Sequence, residues 1–256
     1  MGGFTLFVFL TIFYICNAQD CVDTSDLCSS RTGLCDSIVG LQKLCPKSCG
    51  LCKDKLYKLT YFDLRARGEQ IRWILEQGDA NWEDIRIKQE DWPAIKPTTL
   101  TGQIPYLEVD GVTIAQSGAI AMYLARELGL SGANDLEAAE VHMVWETVQE
   151  TFNSAGRAFV EQDPAKKQVK LKEYDDVSFP RLMKFLEERL ENGEEWLVGK
   201  QMTIADIVVA SFMDSQVWPK PLADLKASKT VSNLTSKVTS LPKIKQWIAT
   251  RPVTDY

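Results

Sequence analysis

The spacing of apolar residues changes along the chain. It is almost unbroken from Phe4 to Cys16, alternates in short runs from Leu56, and returns every three to four positions beyond Asp135. Alternation with β-branched and aromatic residues predicts strands at Leu56–Phe62 and Trp82–Ile87. Ile71, Ile74 and Leu75 predict a helix over Arg67–Gln77 that stops at Gly78. The runs Tyr106–Val109 and Val112–Ala115 flank Asp110-Gly111, which predicts a tight hairpin. Ser117 is expected to N-cap a helix with Ile120, Ala121, Leu124 and Leu128 on one face and Gly129 as its stop. Strand, helix, strand, a turn-rich stretch through Asp91-Trp92-Pro93 and Lys96-Pro97, two strands and a helix make an α/β layer, with a ligand crevice near the strand ends. After a linker at Leu130–Asn134 the pattern turns helical, over Asp135–Phe152, Tyr174–Leu190 and Ile244–Thr250. Thr203-Ile204-Ala205-Asp206 is a capping box ahead of Ile207–Ala210.

Met1–Ala18 reads as a signal peptide, because its apolar run is short of the roughly 20 residues a membrane span needs. Of the seven cysteines, Cys16 lies in this leader and the other six fall between Cys21 and Cys52. So dense a cluster predicts a disulfide framework in an oxidising compartment, and hence a secreted protein. Six cysteines allow 15 pairings. A zinc site on Cys45, Cys49 and Cys52 is the alternative that the leader argues against.

Composition narrows the chemistry. The 256 residues are 45% hydrophobic with a net charge of −6, enough for two or more domains. No basic block offers a surface to nucleic acid or an anionic membrane. His142 is the one histidine, which nearly excludes Ser-His-Asp, Cys-His and multi-histidine metal chemistry. Gly102-Gln103-Ile104-Pro105 and Gln116-Ser117 draw most interest. A proline opening a strand gives up a ladder donor and can be cis, and a helix start nearby offers free amides to a small anion.

Cys21-x-Asp23, the cysteine spacings and the ending Cys45-Pro46-Lys47-Ser48-Cys49-Gly50-Leu51-Cys52 resemble a ShKT domain, a toxin-like module of secreted proteins. The resemblance implies the pairs Cys21–Cys52, Cys28–Cys45 and Cys35–Cys49. Val39-Gly40 stands where the channel-blocking toxin has Lys-Tyr, so a structural or partner-docking role is expected rather than channel blockade.

The remainder resembles a glutathione S-transferase of the sigma class, which includes prostaglandin D synthase. The residues that carry this are Tyr57-Lys58-Leu59-Thr60-Tyr61-Phe62, Arg65-Ala66-Arg67-Gly68-Glu69, Asp91-Trp92-Pro93-Ala94-Ile95-Lys96, Gly102-Gln103-Ile104-Pro105, Gln116-Ser117 and the capping box, in family order. The implied architecture is an α/β thioredoxin-like domain over 55–131 and an all-α C-terminal domain over 134–256, preceded by a disulfide-rich ShKT module over 21–52 and a signal peptide over 1–18. Tyr61 would be the catalytic donor that holds the glutathione sulfur as thiolate, with Arg67 beside it. A phenol titrating near pH 10 can donate to the anion without quenching it. The resemblance assigns Gln116 and Ser117 to the γ-glutamyl end of glutathione, Ile104 before Pro105 to its cysteinyl backbone, and Trp92, Lys96 and Gln103 to its glycyl end. Glu150 would reach across a homodimer.

Phe62, Leu64 and Phe152 would line the acceptor pocket. Leu64 stands where relatives often carry glycine, so substrate choice is open. Asn233-Leu234-Thr235 is a glycosylation sequon, with Asn233 as acceptor. The expected activity is conjugation of glutathione, as substrate and with no metal, to a small apolar electrophile, with prostaglandin H2 isomerisation as a second activity. No nucleic-acid or membrane partner is expected. The alternatives are a non-catalytic binder of haem, lipid or xenobiotics, and a ShKT-driven host-interaction protein on a transferase scaffold.

Overall fold

The computed structural model describes residues 55–215 and 228–254. The expected signal peptide, the ShKT module and its six cysteines lie outside these residues. The described chain is one compact unit. It begins with β1 (Leu56–Phe62), α1 (Ala66–Gln77), β2 (Asn81–Ile87), the short α2 (Trp92–Ile95), β3 (Tyr106–Val109), β4 (Val112–Ala115) and α3 (Ser117–Glu127). The helices α4 (Asp135–Phe159), α5 (Pro164–Glu173), α6 (Phe179–Arg189), α7 (Ile204–Asp214), α8 (Lys229–Ser240) and α9 (Pro242–Thr250) follow. No described helix is long and apolar enough to cross a membrane.

The four strands stand in the order β2-β1-β3-β4, with β1 and β2 parallel and the other two pairs antiparallel. This is a thioredoxin-like mixed sheet. Leu59 on the central strand faces Leu107 on β3, both without exposed surface, and they pack in one core with Ile71, Ile74, Leu75, Ile120 and Leu124 of α1 and α3. Asp110 and Gly111 both have positive φ, the turn type whose twist suits a two-residue hairpin. Gly129 closes α3 in the left-handed conformation, with the Leu130 N–H returned to the Ala125 carbonyl at 2.7 Å.

In the helical layer, α7 is buried at every position from Ile204 to Met213, as a helix apolar all round must be when others enclose it. It packs against α1, α4 and α8. The expected capping box is present. The Thr203 hydroxyl accepts from the Ala205 N–H, and the Asp206 carboxylate accepts from the Thr203 and Leu197 N–H groups at 2.8 and 2.9 Å. The Ile204 N–H donates to the Leu130 carbonyl at 3.0 Å, tying α7 to the linker. There Glu137 accepts from the Ala133 N–H and the Asn134 amide, and a Cβ on Gly132 or Gly199 would come within 2.7 Å of the Glu137 side chain.

Four expectations are corrected. Gln116, not Ser117, is the N-cap of α3. It turns the chain at φ 73°, places Ser117 in the first helical position and leaves the helix start without a side-chain cap. The first long helix runs on to Phe159. Helices α5 and α8 were not expected. The segment Tyr174–Ser178 widens into a π turn, because Pro180 has no N–H to return to the carbonyl four residues earlier.

Candidate active site

Strand register gathers the candidates at one end of the sheet. Thr60 lies opposite Tyr106, and Tyr106 opposite Ala115. The next positions outward, Tyr61, Pro105 and Gln116, therefore stand side by side where β1 and β4 end and β3 begins. The parallel strand β2 ends at the same edge, with Ile87 beside Phe62, and leads into α2 and Trp92. Each loop at this edge thus carries expected site residues. The Ile104–Pro105 bond is cis.

Tyr61 is 7% exposed. Burial pushes its hydroxyl pKa up, against the pull of the Arg67 charge, the Arg67 backbone N–H and the Arg72 charge, so the phenol is protonated at neutral pH. Ala66, at the start of α1, has φ 32°, rare for a residue with a side chain, and it turns the helix start toward the tyrosine. Gly68 packs flat on the ring: a Cβ there would meet Tyr61 Cδ1 and come within 2.8 Å of Cγ. Gly68→Ala is expected to destabilise the fold by about 1–3 kcal/mol through overpacking, more than the roughly 1 kcal/mol of helix propensity it gains. Denaturant titration checks this, and a stabilised variant refutes it.

Arg67 reaches across to α4. It donates to Gln149 Oε1 at 3.2 Å and to the Asn153 side-chain oxygen, and its guanidinium lies 5.1 Å from the centre of the Phe152 ring. Gln149 in turn donates to Gln70 at 2.7 Å. Nothing in the apolar pattern of α4 singles out Gln149 and Asn153. They lie one turn apart on one helix face.

Around the rim, Phe62 stacks edge-on between Tyr61 and Trp92, with centroids at 5.7 and 5.5 Å. Gln116 donates to Gln103 at 3.1 Å. Lys96 is exposed and makes no ion pair among the described residues; its Cε lies 3.9 Å from where a Cβ on Gly102 would stand. Ser117 is buried at the start of α3, whose first-turn amides carry the positive end of the helix dipole. Phe62 and Leu64 are half-buried, whereas Phe152 is 6% exposed and packs against Phe212 at 6.4 Å. Glu150 is held in an exposed ion pair with Arg181 at 2.6 Å. Asn233 is exposed on the regular helix α8, where the Thr235 hydroxyl donates to the Val231 carbonyl. No cluster of three His, Cys, Asp or Glu suited to a metal occurs among the described residues.

Comparison with known proteins places the chain in a family. Residues 57–126 match the N-terminal domain model of glutathione S-transferases, and 149–251 match the C-terminal domain model. Glutathione S-transferase 1 of Ascaris suum is 40% identical over 208 residues, covering 78% of this chain and 98% of that protein. The chain belongs to the glutathione S-transferase family. A ShK domain-like model matches residues 20–52 upstream of the transferase fold. The human hematopoietic prostaglandin D synthase is 38% identical over 198 residues, covering 77% of this chain and 98% of its own. The structure of prostaglandin synthase D of Nilaparvata lugens superposes with a TM-score of 0.71 at 35% identity, over 78% of this chain and all of that one. A glutathione S-transferase of Necator americanus described as monomeric gives 0.68 at 32% identity, over 78% and 99%. Arg67, close to Tyr61, links the two matched regions through Gln149 and Asn153.

Proposed function

We propose that this chain conjugates glutathione to small apolar electrophiles, with the Tyr61 hydroxyl holding the sulfur as thiolate. The observation that carries this is a buried phenol at the sheet edge, beside the Arg67 cation and next to a rim of polar side chains. A free thiol titrates near pH 8.5 and is mostly neutral at pH 7, so a donor aimed at sulfur favours the anion. Gln116 and the Ser117 amide would take the γ-glutamyl carboxylate at the start of α3. Ile104 would pair with the cysteinyl backbone. Trp92, Lys96 and Gln103 would hold the glycyl end.

The acceptor would enter over Phe62 and Leu64, with Phe152 as the apolar floor beneath Arg67. Likeness to the prostaglandin D synthases supports isomerisation of prostaglandin H2 as a second activity. Secretion through the leader, the three disulfides and a homodimer completed by Glu150 belong to the same reading.

Retention on immobilised glutathione and turnover of a neutral aryl halide test it together. Retention without turnover favours a ligand-binding protein, and loss of both refutes the reading. Lys96→Ala is expected to raise KM for glutathione about fivefold with kcat unchanged, since one partly solvated charge contact contributes on the order of 1 kcal/mol. Initial-rate kinetics at varied glutathione check this, and an unchanged KM removes Lys96 from the site.

A further inference from the structure

Three arginines hold the loop after Tyr61. Arg72, with no exposed surface, donates to the Leu64 carbonyl at 2.8 Å and the Phe62 carbonyl at 3.4 Å, and its guanidinium lies 6.0 Å from the centre of the Tyr61 ring. Arg86 pairs with Asp63 at 3.0 Å, and Arg65 donates to the Thr254 carbonyl at 3.4 Å. Arg72 and Arg86 share Asp84, at 3.0 and 2.6 Å. Behind Arg72 stands Glu69, 3% exposed and 3.3 Å from Arg72 Nη1. Its Oε1 accepts from Trp73 Nε1 at 3.0 Å, Trp247 Nε1 at 2.8 Å and Arg251 Nη1 at 2.8 Å. Trp247 lies on α9, and Arg251 directly follows it and also pairs with Asp214 of α7 at 2.8 Å. Burial works against the Glu69 charge, but Arg72 and Arg251 outweigh it and keep the carboxyl below the usual carboxylate range.

So costly a group of buried charges is weak support for stability, since an apolar cluster of the same volume often serves as well. Its geometry has a direction instead. It runs from the C-terminal helix through Glu69 and Arg72 to the two carbonyls that flank Asp63, directly after Tyr61. We propose that α9 and Arg251 clamp the loop that follows Tyr61, with Glu69 and Arg72 as positioning residues that set where the phenol hydroxyl points. The proposal rests on the thiolate role of Tyr61 given above. It adds that the far end of the chain tunes that role from a distance, without touching either substrate.

The test uses the full chain with its leader removed. Four variants, Arg251→Gln, Arg251→Lys, Trp247→Phe and Tyr61→Phe, are compared in the pH profile of kcat/KM and in the ultraviolet absorbance of thiolate formed when glutathione binds. Arg251→Gln is expected to lower kcat about tenfold, leave KM for glutathione within twofold and raise the pKa of the bound thiol by about one unit. Arg251→Lys should recover part of that shift. Trp247→Phe, which keeps an aromatic ring of smaller volume and removes one donor to Glu69, should show a smaller shift in the same direction, and it decides the matter if Arg251→Gln does not fold. A purely structural role would lower the thermal midpoint and leave the thiol pKa in place. If Tyr61→Phe moves that pKa and neither clamp variant does, the clamp is overturned and the tyrosine mechanism stands. If Tyr61→Phe moves nothing, both fall.

Discussion

Tyr61→Phe is expected to lower kcat for glutathione conjugation about 100-fold while KM for glutathione stays within threefold. Phenylalanine keeps the ring on Gly68 and beside Phe62, so packing is preserved and one hydroxyl is lost. That hydroxyl is proposed to donate to sulfur from a side chain only 7% exposed, and removing a single preorganised donor typically costs 10²–10³ in rate. The rim groups that would bind the rest of the tripeptide are untouched, which is why the loss should fall on kcat. The acidic limb of the kcat/KM profile should move up toward the ordinary thiol range, near pH 8.5. Steady-state kinetics from pH 5.5 to 9 measure both. Unchanged turnover at saturating substrate removes the mechanism.

Asp206→Ala should be the most damaging single change to the fold, at about 3–5 kcal/mol. The variant leaves the Leu197 and Thr203 N–H groups buried without acceptors and strips the cap from the helix at the centre of the helical layer. Burial pushes the Asp206 carboxyl up to about 6, although four donors, the N–H groups of Leu197, Thr203 and Asp206 and the Thr203 hydroxyl, pull the other way. An acid with a raised folded-state pKa binds its proton more tightly in the folded chain. Its contribution is therefore fully present below about pH 4 and is lost as pH rises through 6. Asp206→Asn cannot ionise and should flatten that part of the stability curve, by about 3 kcal/mol between pH 4 and 7. Urea titrations across this range check it. A wild-type curve with no such fall, or an Asn variant that keeps the same slope, contradicts the assignment.

How much was legible depended on whether partners were close in sequence. The hairpin was readable to the residue, because Asp110-Gly111 can take the positive φ values the turn requires. The box at Thr203 was readable because its members lie three residues apart. The helix α5 has no buried residue, so it leaves no apolar stripe to find. In α8, Val231, Leu234 and Val238 do form one, but serines and threonines between them weaken the helix signal. The N-cap of α3 was misplaced by one residue, since serine is the better cap by composition, and Gln116 takes the position through a positive φ that side-chain preference does not reveal. At the site, Tyr61, Pro105 and Gln116 were visible as motif positions. The partners of Arg67 on α4, and those of Glu69 on and after α9, were not. They come together only when distant helices pack, and no local periodicity encodes them.

The linker has one more consequence. Glu137 gathers Ala133, Asn134, Gly132 and Gly199 so closely that a Cβ on either glycine would stand 2.7 Å from its side chain, and Leu130 is bonded to the start of α7. A joint fastened in this way cannot serve as a pivot between sheet and helices. Rotamer changes of rim side chains such as Trp92, Lys96 and Leu64, on the nanosecond scale of surface residues, are then expected to admit reactants rather than the slower swing of whole domains. Turnover in such an enzyme should depend little on solvent viscosity.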